Sequence, residues 1–600
     1  MKKAHILKAN KRREIPHHLI FYDCESYPEK VAEDVEKHRL RLGWAVYVRV
    51  KGNKKPLRFY EKWKKFKSRE EFWDFVLSHA KDKKKLYLIA HNQNFDFIIL
   101  NGFKELEKRG WKLETWIIDA NLFYVRFRKE GKTIVVIDTL NLFKFSVKAL
   151  GEAVGLEKLK VDFNKASERE LSVYCRRDVE IIKEMFLSYL KFLVEHNLGN
   201  FKWTIASQAF TAFKHRFMRH KIYIHDNWEV IELERKTYRG GRCEAFFLGE
   251  IRGNVYDLDV NSLYPFVMIK HEYPTKLIKH GKSLSIEALK RFLSKYCVIA
   301  HVLIKTPEPV FGVKRERLIF PVGQFHAYLC TNELKYALEK GYIQKVYEYA
   351  VYEKAPIFKE YVQFFYDLKA YYSKTGDKVR RTLTKLFMNS LYGKFGQHNE
   401  NFIELDNEGC GDYRVEIFYN ERTKERALII NLGEKRYLKV KGHSEAMDSF
   451  VAIAAEVTAN ARMHLWYLMQ KAGRENVYYC DTDSVFVNEN GFKRLKDEID
   501  DYELGKLKLE RVGTRLEIRN VKDYTIDNIT KLKGVRKDSV KIGENQYKTY
   551  RFLKFRSLLR KGSIDAPMVE YYVKTLKREY RKGIVGKDGW VMPFSLFESP

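Results

Sequence analysis

The chain has 600 residues, with 112 Lys and Arg against 79 Asp and Glu, which gives a formal net charge of +33. This excess of cations predicts a polyanionic partner, either nucleic acid or an acidic membrane surface. Because 45% of the residues are apolar and 14% are aromatic, the composition excludes a wholly disordered chain.

The sequence carries no signal for membrane insertion or secretion. Its continuous apolar stretches are far shorter than the roughly 18 residues that span a bilayer, and no apolar signal segment follows its basic N-terminus. The 7 cysteines are scattered without a C-x-x-C pair, which fits neither a disulfide framework nor a zinc ribbon. We therefore expect a cytoplasmic protein with reduced thiols and no membrane partner.

Hydrophobic patterns predict an α/β domain at the start of the chain. Apolar runs at 18–23 and 85–90 predict buried strands, and helical spacing over 171–198 predicts a helix that ends at Gly199. At roughly 150 residues per domain, the length leaves room for more domains.

The second half of the chain predicts a separate α+β unit, in which two helical regions flank a strand-rich middle. The predicted elements are a strand at 254–260, helices at 359–395 with a break near Gly376 and at 449–471, and a hairpin at 476–487.

Three acidic segments follow one another in the first domain. Strand alternation places Asp23 and Glu25 on one face, Asp96 follows the next strand, and Tyr174 and Asp178 share a helix face at i and i+4. Each segment alone also fits an exposed strand end, an N-cap or a solvated face. Together, four carboxylates suit the binding of two Mg²⁺ ions for phosphodiester hydrolysis, with the Tyr174 hydroxyl orienting the attacking water.

In this order the segments resemble the Exo I, Exo II and Exo III motifs of the 3′-5′ proofreading exonuclease of family B DNA polymerases. The resemblance implies a supporting role for Lys158, in a stretch similar to the K-x-x-hydrophobic motif, although a lysine-rich stretch also fits solvated surface. It also implies contacts with single-stranded DNA, or else ordinary strand-end packing, at Asn92, Phe95, Thr139 and Leu140, with Ser26 and His91 as further candidates.

Two further acidic segments resemble the polymerase motifs A and C of the same family. They are Asp259-Val260-Asn261-Ser262-Leu263-Tyr264-Pro265 and Tyr479-Cys480-Asp481-Thr482-Asp483-Ser484. The resemblance implies that Asp259, Asp483 and the Val260 carbonyl bind two Mg²⁺ ions, for which Mn²⁺ can substitute. Asp481 is expected nearby with a lesser direct role.

The segment from Lys385 to Gly393 resembles motif B, in which Lys385, Asn389 and Tyr392 have the spacing of one helix face. An upstream basic stripe extends this face, and a solvated surface is the alternative reading of it. By resemblance, the tyrosine of motif A lies under the sugar and collides with a 2′-hydroxyl, so the expected product is DNA. The residues expected to bind the incoming dNTP are Tyr264, Lys378, Arg381, Lys385, Asn389 and Tyr392.

Two short segments resemble DNA-contacting motifs of the family. Tyr238-Arg239-Gly240-Gly241 is similar to the Y-x-G-G motif, and Lys522-Asp523-Tyr524 is similar to the K-x-Y motif that holds the primer terminus. The resemblance assigns DNA binding to Tyr238, Gly240, Gly241, Lys522 and Tyr524. A plain glycine turn is the alternative for the first segment, and the second is only a three-residue match.

The resemblance predicts an α/β and α+β multidomain fold, in which an RNase H-like exonuclease precedes a right-hand polymerase. The expected parts are the exonuclease at 1–205, a linker with the Y-x-G-G motif at 206–253, palm at 254–275, a first insertion resembling terminal-protein region 1 at 276–354, fingers at 355–396, a second insertion resembling terminal-protein region 2 at 397–444, palm at 445–515 and thumb at 516–600.

The early Exo I motif, the short segment after motif C and the two insertions resemble the terminal-protein-primed polymerases of phages and linear plasmids. The implied partners are primer-template DNA, dNTPs, a terminal protein and a single-stranded DNA-binding protein, with a monomer in the host cytoplasm. A conventionally primed or primer-independent viral or plasmid polymerase is the alternative. A non-catalytic DNA-binding protein would not need the acids of both sites, and a nuclease alone would not need Asp259, Lys385 and Asp483.

Overall fold

The computed structural model describes residues 2–52, 57–119, 122–163, 165–405, 411–422 and 424–599. The cysteines within these ranges are free, and Cys410 lies outside them. None of the helices in the described ranges is long and apolar enough to cross a membrane.

A large mixed sheet, here called the N-terminal sheet, forms the centre of the first part. Its middle strands His18–Ala32, Lys85–Ala90 and Lys132–Asp138 run parallel, with Leu19 paired to Tyr87. Their apolar runs are buried because both faces of the sheet are covered. The flanking strands are Val35–Lys51, Arg58–Phe66, Lys112–Ile118, Phe123–Lys129, Val540–Lys541, Gln546–Phe552 and Met568–Thr575.

Helices cover both faces of the N-terminal sheet. The longest predicted helix of this part begins slightly earlier than expected, because Ser167 and Glu170 form a capping box at its start. It packs Phe186 on Phe21 of the sheet, with ring centroids 5.5 Å apart. The helices of this part are Arg69–His79, Gln93–Ile99, Gly102–Lys108, Val147–Val154 and Glu168–Glu195.

A second, antiparallel sheet, here called the central sheet, is built from strands between residues 243 and 531. Strand Gly249–Val260 lies between Ser484–Asn488 and Leu507–Asn520. The predicted hairpin is present, since Val477–Asp481 pairs with Ser484–Asn488. The other strands of this sheet are Cys243–Ala245, Asp523–Ile526 and Ile529–Lys531.

The predicted helix break near Gly376 is confirmed. Gly376 ends one helix in a left-handed conformation, with φ of 73°, and the Asp377 side chain caps the next by accepting from the Arg380 amide. The α-helices that follow residue 200 are Ile205–Ala212, Trp228–Thr237, Leu263–Lys270, Ile286–Lys295, Thr331–Glu339, Lys359–Thr375, Lys378–Ser390, Val451–Ala472, Glu489–Arg494 and Phe555–Arg560.

Each predicted insertion contains a sheet of its own. The first insertion sheet consists of Tyr273–Leu284, Cys297–Thr306, Val322–Leu329, Ile343–Ala355 and the late strand Ser595–Phe597. The second insertion sheet consists of His398–Leu405, Tyr413–Asn420, Glu425–Leu432 and Lys435–Glu445.

The second insertion sheet packs against the first part of the chain and a C-terminal helix. Tyr413 and Phe555 both contact Phe103, with ring centroids 5.6 and 4.7 Å away. The Arg556 guanidinium forms an ion pair with Glu400 at 2.6 Å. The insertion is therefore fixed to helix Gly102–Lys108 by an apolar contact and to helix Phe555–Arg560 by a charged one.

The segment 516–600, expected as a thumb, is distributed among four sheets, one of which is the two-stranded sheet of Ile584–Val585 and Val591–Met592. The expected boundary at 516 falls inside strand Leu507–Asn520, and the strands that follow up to Lys531 belong to the central sheet. Strand Met568–Thr575 instead extends the N-terminal sheet, and Ser595–Phe597 extends the first insertion sheet. The segment expected as a thumb therefore shares sheets with earlier parts of the chain.

The helix Val451–Ala472 contains a buried acid that is expected to make stability depend on pH. Burial is the main cause that raises the pKa of Glu456 to about 7; hydrogen bonds from Thr331 oppose the rise, and Glu333 adds to it. The native state then holds this proton more tightly than the unfolded chain, whose Glu pKa is about 4.3. Stability is therefore lost as pH rises through this window, by up to about 3 kcal/mol.

Glu456→Gln is expected to remove this loss, because the amide oxygen still accepts from Thr331 without carrying a charge. The variant should be more resistant to urea than the parent at pH 8, and about equally resistant at pH 5. Glu333→Gln is the control, since it weakens the buried ion pair with Arg462 at 3.0 Å and should destabilise at both pH values. An equal effect of Glu456→Gln at both pH values would contradict the prediction.

Candidate active sites

The central sheet brings the acids of motifs A and C together. Asp259 pairs with Ser484 across neighbouring strands, and the Val260 amide donates to the Asp483 carbonyl at 2.7 Å. The hairpin turns at Thr482, whose φ is 66°. This tight turn places the Asp483 residue beside the end of the strand that carries Asp259.

The pKa values of these carboxylates reflect their burial and the charges around them. Burial is the main cause that raises the pKa of Asp259 to about 7, and Asp483 is the next cause. Burial also raises the pKa of Asp483. Lys385 opposes both shifts, so its ammonium group acts on this cluster. Carboxylate oxygens are hard ligands, so the donor set fits Mg²⁺ or Mn²⁺.

Asp481 makes different contacts from Asp483. The Lys522 ammonium donates to both carboxylate oxygens of Asp481 at 2.7 Å, and Lys531 approaches to 3.8 Å. The Lys522 amide also donates to the Tyr479 hydroxyl at 3.0 Å, and the Tyr524 ring lies 5.4 Å from the Tyr479 ring. Both named residues of the K-x-Y segment therefore lie next to motif C.

A basic helix face points away from the core near these acids. Lys378, Arg381, Lys385 and Asn389 are exposed on helix Lys378–Ser390, and none of these cations has an ion-pair partner within the described residues. Phosphate groups are the natural counterions for such a face.

Tyr392 differs from the sequence expectation. The α-helix ends at Ser390, and Tyr392 lies in a short 3₁₀ turn beyond it. This turn places its ring on Tyr264, with centroids 4.8 Å apart and planes inclined by 24°. Motifs A and B are thus joined by a tyrosine stack, although a single continuous helix does not form the face.

The paired glycines pack against motif C. A Cβ atom on Gly241 would lie 2.7 Å from the Thr482 Cγ2, whereas a Cβ on Gly240 would meet no atom within 4 Å. The Arg462 guanidinium donates to the carbonyls of Arg239 and Gly240 at 3.1 Å. Tyr238, just before them, ends the helix Trp228–Thr237.

A second acidic cluster lies at the carboxyl ends of the parallel strands in the N-terminal sheet. Asp23 and Glu25 belong to strand His18–Ala32, and the Cys24 amide between them donates to Asp96 at 3.1 Å. Burial raises the pKa of Asp23 well above its usual range, and Asp96 and Asp178 add to the rise. The four predicted acids therefore converge.

The other acids of this cluster titrate in the same direction. Burial followed by Asp178 raises the pKa of Glu25 to about 8, and burial raises the pKa values of Asp96 and Asp178. Four carboxylates in one buried cluster fit the binding of divalent cations, which would relieve their repulsion.

Cys175 lies within this cluster, because its sulfur and the oxygens of Asp23 and Glu25 are within 4.8 Å of one another. Burial raises the pKa of its thiol well above the usual range, and the thiol donates to the Asp23 carbonyl at 3.3 Å. We therefore interpret Cys175 as a neutral packing group and not as a ligand.

Lys158 organises one side of the acidic cluster. Its ammonium group pairs with the Asp178 carboxylate and lies 4.3 Å from the centre of the Tyr174 ring. Burial opposes its charge, but Asp178 and Tyr174 together raise the pKa of Lys158. The lysine therefore remains charged and holds both side chains in place.

Thr139, one of the residues expected to contact DNA, is buried in the structure. The residue is 1% exposed, and its hydroxyl donates to the Ala90 carbonyl at 3.3 Å. Its side chain therefore packs inside the domain, where it links two neighbouring strand ends. Leu140, Asn92 and Phe95 are partly exposed at the same edge of the sheet.

Sequence reasoning missed Asp138 as a positioning residue. Its carboxylate accepts from the amides of Asn92 at 3.0 Å and of Gln93 and Leu140 at 2.8 Å. It thereby fixes the Exo II turn, and its place after an apolar strand is the same signal that identified Asp23.

Lys369 was also missed. It lies on the preceding helix Lys359–Thr375; burial lowers its pKa, and Lys385 and Arg381 lower it further, so its ammonium group is close enough to feel the basic helix face. Lysines are too frequent in this chain for sequence to select it.

A family model described as DNA polymerase type B, organellar and viral, matches residues 157–472. This range covers more than half of the chain. The chain belongs to this family. The matched range contains Asp178, motif A and motif B, and ends before motif C.

Several curated relatives are similar to this chain. A probable DNA polymerase of Neurospora intermedia is 29% identical over 399 residues, which is 62% of this chain and 39% of that protein. The DNA-directed DNA polymerase of Enterobacteria phage PRD1 is 27% identical over 310 residues, 50% of this chain and 52% of that protein. The aligned parts span 28 to 39% of the length of the first four relatives.

Solved structures support the same fold. Phi29 DNA polymerase complexed with primer-template DNA has a TM-score of 0.68 and 19% identity, and the match covers 94% of this chain and 100% of that one. This chain therefore has the fold of a family B polymerase.

Proposed function

We propose that this protein is a DNA-directed DNA polymerase with a 3′-5′ proofreading exonuclease, and that it replicates a viral or linear-plasmid genome. The observation that carries the proposal is the placement of Asp259 beside Asp483 and within electrostatic reach of Lys385, in a chain of this family. The central sheet then serves as the palm, and helices Lys359–Thr375 and Lys378–Ser390 serve as the fingers.

The polymerase residues have separate roles. Asp259, Asp483 and the Val260 carbonyl would hold two divalent cations, which when bound lower the pKa of the primer 3′-hydroxyl and neutralise the triphosphate. Lys385 and the other cations of the basic helix face bind the phosphates. Lys522 occupies both carboxylate oxygens of Asp481 with hydrogen bonds, so Asp481 would not bind a cation directly.

The tyrosine stack selects the sugar. Tyr264 is held against Tyr392 by ring contact, so it cannot move aside at low cost when a ribonucleotide enters. A 2′-hydroxyl would therefore collide with the Tyr264 ring, and deoxynucleotides are preferred. Tyr238 and the paired glycines would contact the DNA next to this region.

The second cluster is assigned to proofreading. Asp23, Glu25, Asp96 and Asp178 would hold the cations of the exonuclease site, while Tyr174 orients the attacking water. Lys158 keeps Asp178 and Tyr174 in position, as its contacts with both residues support. The substrate is the frayed 3′ end of the primer.

Priming by a terminal protein is the finer part of the proposal. The likeness to phage polymerases supports it, as does the presence of both insertion sheets at the expected places. The partners are then primer-template DNA, dNTPs, a terminal protein and a single-stranded DNA-binding protein in the host cytoplasm.

Primer extension with purified protein, dNTPs and Mg²⁺ tests the core of this proposal. We expect synthesis on a primed template and degradation of a mismatched 3′ end, both abolished by EDTA. Binding without either reaction would instead favour a DNA-binding protein. Transfer of labelled dNMP to a small basic protein encoded beside the gene tests protein priming. If the enzyme extends RNA or DNA primers but transfers no dNMP to such a protein, the conventionally primed alternative is favoured.

Gly241→Ala is expected to lower synthesis by roughly 100-fold, because the added carbon displaces Thr482 and with it the turn that carries Asp483. Gly240→Ala is the matched control, since its added carbon meets open space, and its loss should be much smaller. Single-nucleotide incorporation rates measure both variants. Equal losses would show that contact with Thr482 does not cause the effect.

A further inference from the structure

The C-terminal strands reach the candidate exonuclease cleft. Strand Met568–Thr575 pairs with Val35–Lys51 of the N-terminal sheet, and the His38 amide donates to the Pro567 carbonyl at 2.9 Å. The Phe555 amide donates to the Asn94 side chain at 2.9 Å, next to Phe95. Residues from the end of the chain are therefore fixed beside the Exo II motif.

A row of aromatic side chains begins at Phe95 and continues onto these strands. The ring of Phe552 lies 6.2 Å from Phe95 and 6.1 Å from Tyr550, and Tyr550 lies 5.8 Å from Tyr571. We call these four residues the aromatic row. Phe552 is 42% exposed, so a large apolar ring faces solvent at the centre of the row.

Hydrogen bonds fix the outer rings of the aromatic row. The Tyr550 hydroxyl donates to Asp538 at 2.6 Å, and the Tyr571 hydroxyl donates to Glu36 at 3.1 Å. Rings that are already held lose little conformational freedom when a base stacks on them.

Cations accompany the aromatic row. The Arg536 guanidinium lies 4.3 Å from the centre of the Tyr550 ring. Lys548 is exposed on the same strand face as Tyr550 and Phe552, because alternate strand residues share a face. Spaced rings with cations beside them suit single-stranded nucleic acid, whose bases stack while its phosphates are neutralised.

His38 lies against the inner end of the aromatic row, with its ring 5.6 Å from Phe95 and 6.0 Å from Phe552. Its Nδ1 interacts with the Ser26 hydroxyl at 2.8 Å. Its Nε2 is buried without a hydrogen-bond partner among the described residues. Ser26, a candidate contact for the single strand, is thus connected to the row.

We propose that the aromatic row is a binding subsite for single-stranded DNA, which receives bases of the frayed primer before its 3′ end reaches the acidic cluster. The proposal rests on the exonuclease assignment and adds Phe552, Tyr550 and Tyr571 to it. Bases stack on the exposed Phe552 ring, and Arg536 and Lys548 bind the backbone.

Binding of a fluorescein-labelled oligothymidylate of about 12 nucleotides in EDTA tests the aromatic row without hydrolysis. Phe552→Ala is expected to raise the Kd about fivefold or more, the lower range for loss of one base stack. Phe552→Trp should retain affinity, because it keeps an aromatic face. Phe597→Ala removes a ring that is 85% exposed on the first insertion sheet, and it should bind like the parent.

Photo-cross-linking locates the contact independently. An oligothymidylate with 5-iodouracil at successive positions from the 3′ end is expected to label the peptide that contains Phe552. Unchanged affinity of Phe552→Ala, or labels confined to other segments, would overturn the proposal. If Phe552→Ala folds poorly, Tyr550→Ala is compared with Tyr550→Phe. Tyr550→Ala should bind the oligonucleotide more weakly than Tyr550→Phe, because only the latter keeps the ring.

The outcomes separate this inference from the exonuclease assignment. If the parent protein degrades the oligonucleotide in Mg²⁺ but Phe552→Ala binds normally, the subsite is wrong and the exonuclease stands. If the parent does not degrade it but Phe552→Ala binds weakly, the subsite stands and the exonuclease assignment fails.

Discussion

Asp483→Asn is expected to lower nucleotide incorporation by at least about 10³-fold, whereas Asp481→Asn should lower it by roughly 10- to 100-fold. The two acids are two residues apart on one hairpin, and their contacts support the ranking that the family resemblance implies. Asp481 already has both oxygens engaged by Lys522 at 2.7 Å. The backbone carbonyl of Asp483 accepts from the Val260 amide, which leaves the Asp483 carboxylate available for a cation.

Single-turnover incorporation of one dNTP measures this difference, and degradation of single-stranded DNA by the same samples is the internal control. Asp483→Asn should retain degradation, because it leaves the N-terminal acidic cluster intact. Lys522→Ala adds a second check, since it frees Asp481 and should change the Mg²⁺ dependence of synthesis. Equal losses for Asp481→Asn and Asp483→Asn would contradict the role given to Lys522.

Much of the candidate chemistry follows from sequence because its signals are local. Strand Lys85–Ala90 has the predicted bounds, since an apolar run this short favours a buried strand over a helix. The break at Gly376 follows from the freedom of glycine at positive φ. Acids placed at the ends of such elements converge because parallel strands end at the same edge of a sheet.

Other features depend on contacts between distant parts of the chain. The pairing of Met568 with Lys37 joins residues more than five hundred positions apart. The sequence of neither segment indicates which strand it pairs with. Thr139 is buried and hydrogen-bonded to Ala90, on a strand about fifty residues earlier. A local sequence pattern could not distinguish this covered strand end from an exposed one. Long-range strand pairing is thus the part that local patterns leave undetermined.

Asp23→Asn combined with Glu25→Gln is expected to lower 3′-5′ degradation by at least about 10³-fold while synthesis on a matched primer continues. Both side chains lie in the buried acidic cluster, where burial and then neighbouring carboxylates raise their pKa values. The neutral amides keep the side-chain size but bind a divalent cation poorly. Release of the 3′ nucleotide from labelled single-stranded DNA measures the loss.

Glu29→Gln is the matched control, because Glu29 lies on the same strand but is exposed and pairs only with Arg39 among the described residues. It should degrade DNA at close to the parent rate. In EDTA, the double variant should be at least as stable as the parent, because two mutually repelling buried acids have been replaced. A double variant that loses degradation but is less stable in EDTA would mean that these acids support the fold. A double variant that loses synthesis as well would mean that the two clusters do not act independently, because the central sheet keeps all of its own acids.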